Sequence, residues 1–583
     1  MTLRKNVAIL LVLFSFSAFA QKEDYTWIVG VPPIEMDFTD TIFTYNASFH
    51  QTNGVYFFGT SFTQNDSSGN LLFYTNGAFI YDRQGNVMEN GDGLNPSSYL
   101  SGLVNGGNGV GNGFLQGAMG IKKPGDNSLY YLFHFGASDN CPGYPLNAEL
   151  ICKLFVTTID VFANNGLGKV IEKNHPIMQD SIMTGTELTL LKHGNGRDWW
   201  LIKRANNTAN RYYKFLITAD TITGPFVQDI GSFPKPYSGT YGTAAVSPDG
   251  TKFAGVTYAQ GINIFDVDRC TGLFSNPISF MALDSAIEDT FSEAYSLAFS
   301  PNSHFLYVCG SYFIYQYDLK ANDIAASRVP LITIDYHSGN DFEWLPMQLA
   351  PDGKIYIGPY NGAKFLSVIT EPDSAGLACN LHPYSVIMPC ASNDTSICSS
   401  WAIPQFPQYR LPTMPIYLAN AGNDKETCKD TTVQLGSATI INQLTYTWSS
   451  NDPNAFISDI HGTQPVVSTR KDSAQFYLLV VDTVSKHSCL EKTDTISVRT
   501  NQCVTGIVET TNPIRLKYFP YLYVYDIVLQ TELSVYNLLG QLIYTSNNYQ
   551  NDWDVRTVSN AVYVFQIKTP DGRSSNGRVV VVH

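Results

Sequence analysis

Three stretches in the middle of the chain repeat one pattern. "AAVSPDGTKFAGVTYAQGINIFDVD" begins at Ala244, "LAFSPNSHFLYVCGSYFIYQYDL" at Leu297 and "MQLAPDGKIYIGPYNGAKFLSVIT" at Met347. Their turn prolines, Pro248, Pro301 and Pro351, are spaced by 53 and 50 residues. Each unit reads as an alternating strand, a Pro-Asp/Asn-Gly/Ser turn, an apolar strand, a break and a third, aromatic strand. Proline sets the first φ of the turn and glycine accepts the positive one. A several-stranded unit at this period is the signature of a β-propeller. Weaker units flank these three: "SSGNLLFYTNGAFIYDRQGNVMENGDGL", "GAMGIKKPGDNSLYYLFHFGA" and "LTLLKHGNGRDWWLIKRANNTANRYYKFLI". Six units are thus counted. A seventh is expected from "YTWIVG" at residues 25–30, pairing with strands from the other end of the domain near residue 412. Closing first on last removes the exposed edges of an open sheet.

Composition agrees with an all-β chain. There are 35 Tyr, 34 Phe and 45 Gly, but only 15% charged residues, a mixture that favours strands and tight turns. The net charge of −14 leaves no basic stripe to displace counterions, which argues against a nucleic-acid partner. Arg4 and Lys5, a 14-residue apolar run and Ala18-Phe19-Ala20 make residues 1–20 a secretory signal peptide. That run is short for a membrane span and no later one is longer, so no transmembrane span is expected in the mature protein. Gln21 stands where a lipoprotein would need cysteine. Ten cysteines in an exported chain can form disulfides.

After the propeller, residues 21–412, the pattern changes. Residues 418–503 carry short period-2 strands and one tryptophan, Trp448, which suggests an immunoglobulin-like sandwich. Cys428 on an early strand and Cys489 before the last form a candidate staple, with Cys503 as a competing partner. Residues 506–583 form a third, small β-sandwich domain containing "ELSVYNLLGQLIYTSNN" at residues 532–548, a strand, a turn and a strand. Leu533 and Val535 face one way beside Tyr536, Gly540 permits the turn, and Leu542 and Tyr544 return.

Three resemblances sharpen this. The terminal segment is similar to the type A sorting domain of the Bacteroidetes type IX secretion system. "LSVYNLLGQLIY", Asp554-Val555, "VYVFQIKTPDG" and the closing "GRVVVVH" carry the likeness. The middle domain resembles PKD-like sandwiches through "AGNDKETC" and "YTWSS". The first domain resembles the propellers of gliding-motility-associated surface proteins through "GNLLFYTNG", "VMENG", "SPDG" and "IPQFPQY". The resemblance implies that the terminal domain is an address for the type IX machinery, with Leu533, Val535, Tyr536, Gly540 and Leu542 as its sorting signal. It also implies export through the periplasm to a secreted or outer-membrane surface-attached state.

The chemistry is sparse. Gly-x-Ser-x-Gly, His-Glu-x-x-His and phosphate-binding Gly-x-x-x-x-Gly-Lys patterns do not occur, and "NGGNGVGNG" at residues 105–113 reads as a flexible propeller loop. Glu293 and Glu343 each lie eight residues before a turn proline, and Thr240 holds the equivalent place before Pro248. These three open the inner strands of successive blades, so they are placed at one channel mouth. Paired carboxylates there suit Ca²⁺ or the acid and base of glycoside hydrolysis; a solvated polar mouth is the plainer alternative. Asp335, His337, Asp341 and Glu343 form a second acidic cluster, read as an inter-blade loop before a metal site. His134 and His193 read as structural. "NGDG" at residues 90–93 reads as a turn, with calcium as a minor option. No metal or cofactor is assigned. The leading expectation is a non-catalytic binding or adhesion protein, with an unidentified extracellular glycan or protein as ligand. The alternative is a polysaccharide hydrolase using Glu293 and Glu343.

Overall fold

In a computed structural model of the chain, short antiparallel sheets follow one another along residues 21–414. The structure describes residues 21–581 apart from 31–32, 40–43, 47–56, 58, 106–110, 140, 142–150, 206–209, 232–241, 258–260, 283–293, 311, 334–343, 360–364, 389–401, 415, 437–443, 483–488, 492, 502–515, 519–521 and 525–529. The chain divides into two compact units, Met1–Pro415 and Ile416–His583. No helix among the described residues is long and apolar enough to cross a membrane.

The first unit is a seven-bladed propeller. Strands β1 (Thr26–Val29), β2 (Ile34–Asp37) and β3 (Thr44–Asn46) form one sheet, and β4 (Phe62–Asn65), β5 (Leu71–Thr75) and β6 (Ile80–Asp82) the next. A seven-stranded sheet then joins two blades. It contains β7 (Ala118–Lys122), β8 (Leu129–His134), β9 (Ile151–Asp160), β10 (Lys169–Lys192), β11 (Trp199–Ala205), β12 (Arg211–Ile217) and β13 (Ile222–Asp229). The long β10 belongs to both. Its first half pairs with β9 on the outside of one blade, and Leu188 to Lys192 pair with β11 on the inside of the next. Three four-stranded blades complete the set: β14 (Gly242–Val246) to β17 (Phe274–Phe280) by way of β15 (Lys252–Thr257) and β16 (Gly261–Val267); β18 (Ala294–Phe299), β19 (Phe305–Gly310), β20 (Phe313–Asp318) and β21 (Val329–Thr333); β22 (Trp344–Leu349), β23 (Ile355–Pro359), β24 (Phe365–Ile369) and β25 (Leu381–Ile387).

The proline turns do what the repeat implies. Gly250 and Gly353 hold φ of 71° and 78°, and Ser303 takes 59° in the third turn. Small hydroxyls stitch blade to blade near the axis. Ile28 N–H donates to Thr63 Oγ1 at 3.2 Å, Thr243 Oγ1 and Ser296 Oγ lie 3.1 Å apart, and Met347 N–H donates to Ser296 Oγ at 2.8 Å. The ring closes where Trp27 of the first blade meets Tyr356 of the last, with centroids 5.8 Å apart. Each sequence unit predicts three strands; the later blades add a fourth, outer one. Those outer strands are mostly exposed, as in β13 and β17.

The seventh blade closes differently from the expected strand pairing. Strand β1 pairs with β2, and β2 with β3. On its inner side β1 is flanked by residues 402–411, which run past it without a strand ladder among the described residues. Arg410 pairs with Asp24 at 2.6 Å, Phe406 packs on Trp27, and Ala402 shares a cluster with Ile28.

In the second unit, β26 (Ile416–Leu418), β27 (Lys425–Cys428), β28 (Val433–Gln434), β29 (Leu444–Ser450), β30 (Phe456–Ile457), β31 (Val466–Ser468), β32 (Ser473–Asp482), β33 (Cys489–Glu491) and β34 (Thr493–Asn501) build a sandwich. Trp448, Phe476, Leu478 and Ile496 fill its core. Cys428 and Cys489 are both disulfide-bonded. The register puts Cys428 opposite Asn501, two positions from Cys503, so peptide mapping without reduction is expected to recover Cys428 joined to the Cys503 peptide; recovery with Cys489 instead restores the other staple. The terminal strands are β35 (Leu516–Tyr518), β36 (Leu522–Val524), β37 (Glu532–Asn537), β38 (Leu542–Ser546), β39 (Ala561–Lys568) and β40 (Ser574–Val581), the last four ordered β38-β37-β39-β40.

Candidate functional site

Residues 402–411 occupy the axis of the propeller. Gln405 Nε2 donates to Met347 O at 3.1 Å, and Gln405 N–H to Ser61 O. Gln116 reaches across to β14, accepting from Ala244 N–H at 2.8 Å and donating to Ala244 O at 2.7 Å, while its amide also meets Gln405 Oε1. Further along, Tyr409 O–H donates to Gly120 O at 3.0 Å, and Lys192 Nζ donates to Tyr409 O. One segment thus touches the first, second, third, fourth and last blades. Thr240, Glu293 and Glu343 lie outside the described residues, as do Asp335, His337 and Asp341.

The structure brings together a buried charged group that the sequence reading missed. Glu187 is 0% and Arg204 1% exposed, and their side chains meet at 2.9 Å. Thr257 Oγ1 donates to the same carboxylate, and Tyr212 O–H donates to it at 3.4 Å. Glu187 adopts φ 55° at the corner of β10, where the register against β11 slips. Burial alone would depress the Arg204 guanidinium, but the Glu187 carboxylate outweighs it and raises the affinity for its proton. Beside them Lys203 Nζ donates to Thr184 O and Thr186 O, and burial pushes its ammonium down to about 7. Glu187 and Arg204 lie in one blade and Thr257 in the next, so this buried cluster joins two blades.

Three candidates from the sequence, the "NGDG" turn, His134 and His193, are also internally engaged. In the "NGDG" turn, Lys173 Nζ donates to Asn90 O, Asn90 Oδ1, Asp92 O and Asp92 Oδ1 between 2.7 and 3.1 Å. An ammonium therefore takes the oxygens that calcium would need. His134 is buried between Asn95 Oδ1 and Thr157 Oγ1, both at 2.8 Å, and burial lowers its affinity for a proton to about 3. His193 meets Cys270 O at 2.9 Å and accepts from Asn195 N–H. Both histidines hold structure. The described end of "NGGNGVGNG" is packed tightly: a Cβ on Gly111 would lie 2.4 Å from Asn76 O. Among the described residues no group of three or more His, Cys, Asp or Glu is disposed to hold a metal.

Among the described candidate sites the terminal hairpin is the most exposed. Leu533 and Val535 are fully buried with Tyr549, Trp553, Phe565 and Ile567. Tyr536 pairs with Leu542 across β37 and β38. Gly540 holds φ 81°, and its N–H donates to Asn537 O at 3.0 Å. Asn537 Oδ1 accepts from Leu539 N–H at 3.0 Å and Gln541 N–H at 2.9 Å. The side chains of Leu538 and Leu539 at the tip are 63% and 86% exposed, and Leu542 is 52% exposed.

No family model matches the chain, and no curated protein does. Three solved structures that are similar to it share 7–13% identity. A functionally unknown protein from Desulfotomaculum acetoxidans DSM 771 is 13% identical, with a TM-score of 0.28 over 48% of this chain and 73% of that one. The β-propeller domain of Cps50 (Swd1) from Myceliophteria thermophila is 7% identical, with a TM-score of 0.26 over 80% and 96%. The U3-55K structure is 13% identical, with a TM-score of 0.22 over 32% and 50%. The propeller assignment rests on the sheet order and ring closure, not on these scores.

Proposed function

We propose that the chain is an exported binding protein whose propeller presents an extracellular recognition surface and whose terminal domain directs export through the type IX secretion system. The sandwich, PKD-like in its motifs, spaces the two. One observation carries the reading: the terminal sheet has its own buried core and leaves its hairpin tip apolar and exposed. That is the form of a unit that folds on its own and is gripped from outside. The signal-peptide pattern of residues 1–20 and the Cys141–Cys152 disulfide suit an oxidising, extracytoplasmic route. With residues 402–411 bonded across the inner strands, binding is expected on the propeller's faces and rim, to a glycan or protein at the secreted or surface-attached destination.

Removing residues 506–583 is expected to leave the protein in the periplasm of a Bacteroidetes host with a working type IX system. Fractionation and immunoblotting measure it. Unchanged surface or extracellular delivery of the shortened chain would overturn the address.

A further inference from the structure

Three hairpin turns in this chain share one geometry. At residues 66–70, Asp66 Oδ1 accepts from Ser68 N–H at 2.8 Å and Asn70 N–H at 3.0 Å, and Gly69 N–H donates to Asp66 O. At residues 82–86, Asp82 Oδ1 accepts from Gln84 N–H at 2.8 Å and Asn86 N–H at 3.1 Å, and Gly85 N–H donates to Asp82 O. The turn from Asn537 to Gln541 repeats every one of these bonds. The acidic or amide residue and the positive-φ glycine make the turn; the second tip residue lends only its backbone N–H, which any residue but proline supplies, and neither tip side chain is needed for these bonds. In the propeller those tips are Ser67-Ser68 and Arg83-Gln84, all exposed. In the terminal domain they are Leu538-Leu539. Two exposed leucines where the backbone asks for none are an interaction feature.

The surroundings identify the occupant. Strand β38 is an edge of its sheet, and such edges are normally guarded by charge or proline. Between Glu532 and Asp552 no charged residue or proline occurs. Leu542 and Ile543, 52% and 40% exposed, continue the apolar tip along that edge. A patch this small, roughly a few hundred Å², cannot hold a flat symmetric pair, which needs about 1,200 Å² or more. A protruding tip is instead enclosed by a concave partner. Resting on the export reading above, we infer that the Leu538-Leu539 tip and the β38 edge are the contact surface for an uncharged, apolar slot on a protein of the export machinery, which adds a strand to β38.

The test compares full-length protein, the double variant Leu538→Ser/Leu539→Ser and the chain lacking residues 506–583 in one host. The serine variant keeps Asn537 and Gly540, and its melting curve is expected to match the parent's. Its extracellular fraction is expected to fall roughly tenfold or more, the loss of about 1.4 kcal/mol of recognition or more. Gly540→Val, which breaks the positive-φ turn and misplaces the same tip, is expected to give the same loss. Normal export of the serine variant alongside a blocked truncation overturns the tip and leaves the address standing. Normal export of both overturns the two together. A leucine-dependent dimer of the purified chain in sedimentation velocity, or leucine-dependent binding to phosphatidylethanolamine vesicles, overturns the proposal in favour of a second copy or a lipid.

Discussion

Replacing Arg204 with alanine is expected to destabilise the propeller by about 3–5 kcal/mol. The reason is what remains behind. Glu187 is 0% exposed, and in the parent it is held by Arg204, Thr257 and Tyr212. Without the guanidinium a carboxylate stays buried with two neutral donors. The cost is that of an uncompensated buried charge, not the worth of the pair. The companion variant separates the two: Glu187→Leu with Arg204→Met removes both charges and keeps volume, and is expected to recover most of the loss. Gly255→Ala should also destabilise, because its Cβ would sit 2.7 Å from Glu187 Oε2. The measurement is the shift in the urea midpoint of the propeller's own transition. A shift worth under about 1 kcal/mol for Arg204→Ala would place the pair among surface-like contacts and refute its role as an inter-blade joint.

The repeat was readable because its turns are local. Pro248, Pro301 and Pro351 announce hairpins whose bonds all lie within a few residues, so spacing alone reports the blades. The terminal hairpin was readable for the same reason: Asn537, Gly540 and the alternation of Leu533 and Val535 are contiguous. The outer strands were not, since an exposed strand such as residues 222–229 carries no apolar alternation. Glu187 was hidden inside the 24-residue β10, whose passage from one blade to the next has no turn signature. Its partners, Arg204 and Thr257, are 17 and 70 positions away. "IPQFPQY" read only as the last stretch of the propeller, near residue 412, with nothing local to give it a place at the axis. The segment lies along the axis, and its partners are as distant as Asp24, 386 positions from Arg410. No local pattern encodes such contacts.

That axial segment gives the second large effect. A chain ended at residue 401 is expected not to fold, whereas one ended at residue 414 folds as a propeller. Between those points lie Ile403, Phe406, Tyr409 and Leu411, all buried, and Arg410, paired with Asp24. Losing one buried aromatic side chain costs about 3–5 kcal/mol. Losing Phe406 and Tyr409 together therefore approaches the whole of a typical domain's stability of about 5–15 kcal/mol. The loss also strips Trp27, Phe62 and Trp199 of an aromatic neighbour each. It leaves Gly120 O and Met347 O without the bonds that Tyr409 and Gln405 supply. Point variants grade the effect. Tyr409→Ala should cost about 3–5 kcal/mol, and Tyr409→Phe about 1–2 kcal/mol, because the hydroxyl's hydrogen bonds to Gly120 O and Gln64 Oε1 are lost while the ring stays. Circular dichroism melting and limited proteolysis of the two shortened chains decide the matter. If the chain ended at 401 melts within a few degrees of the longer one, the blades close on their own strands and residues 402–411 merely lie against a finished ring. If it is instead digested at once, the final segment is the clasp that makes an open row of blades into a ring.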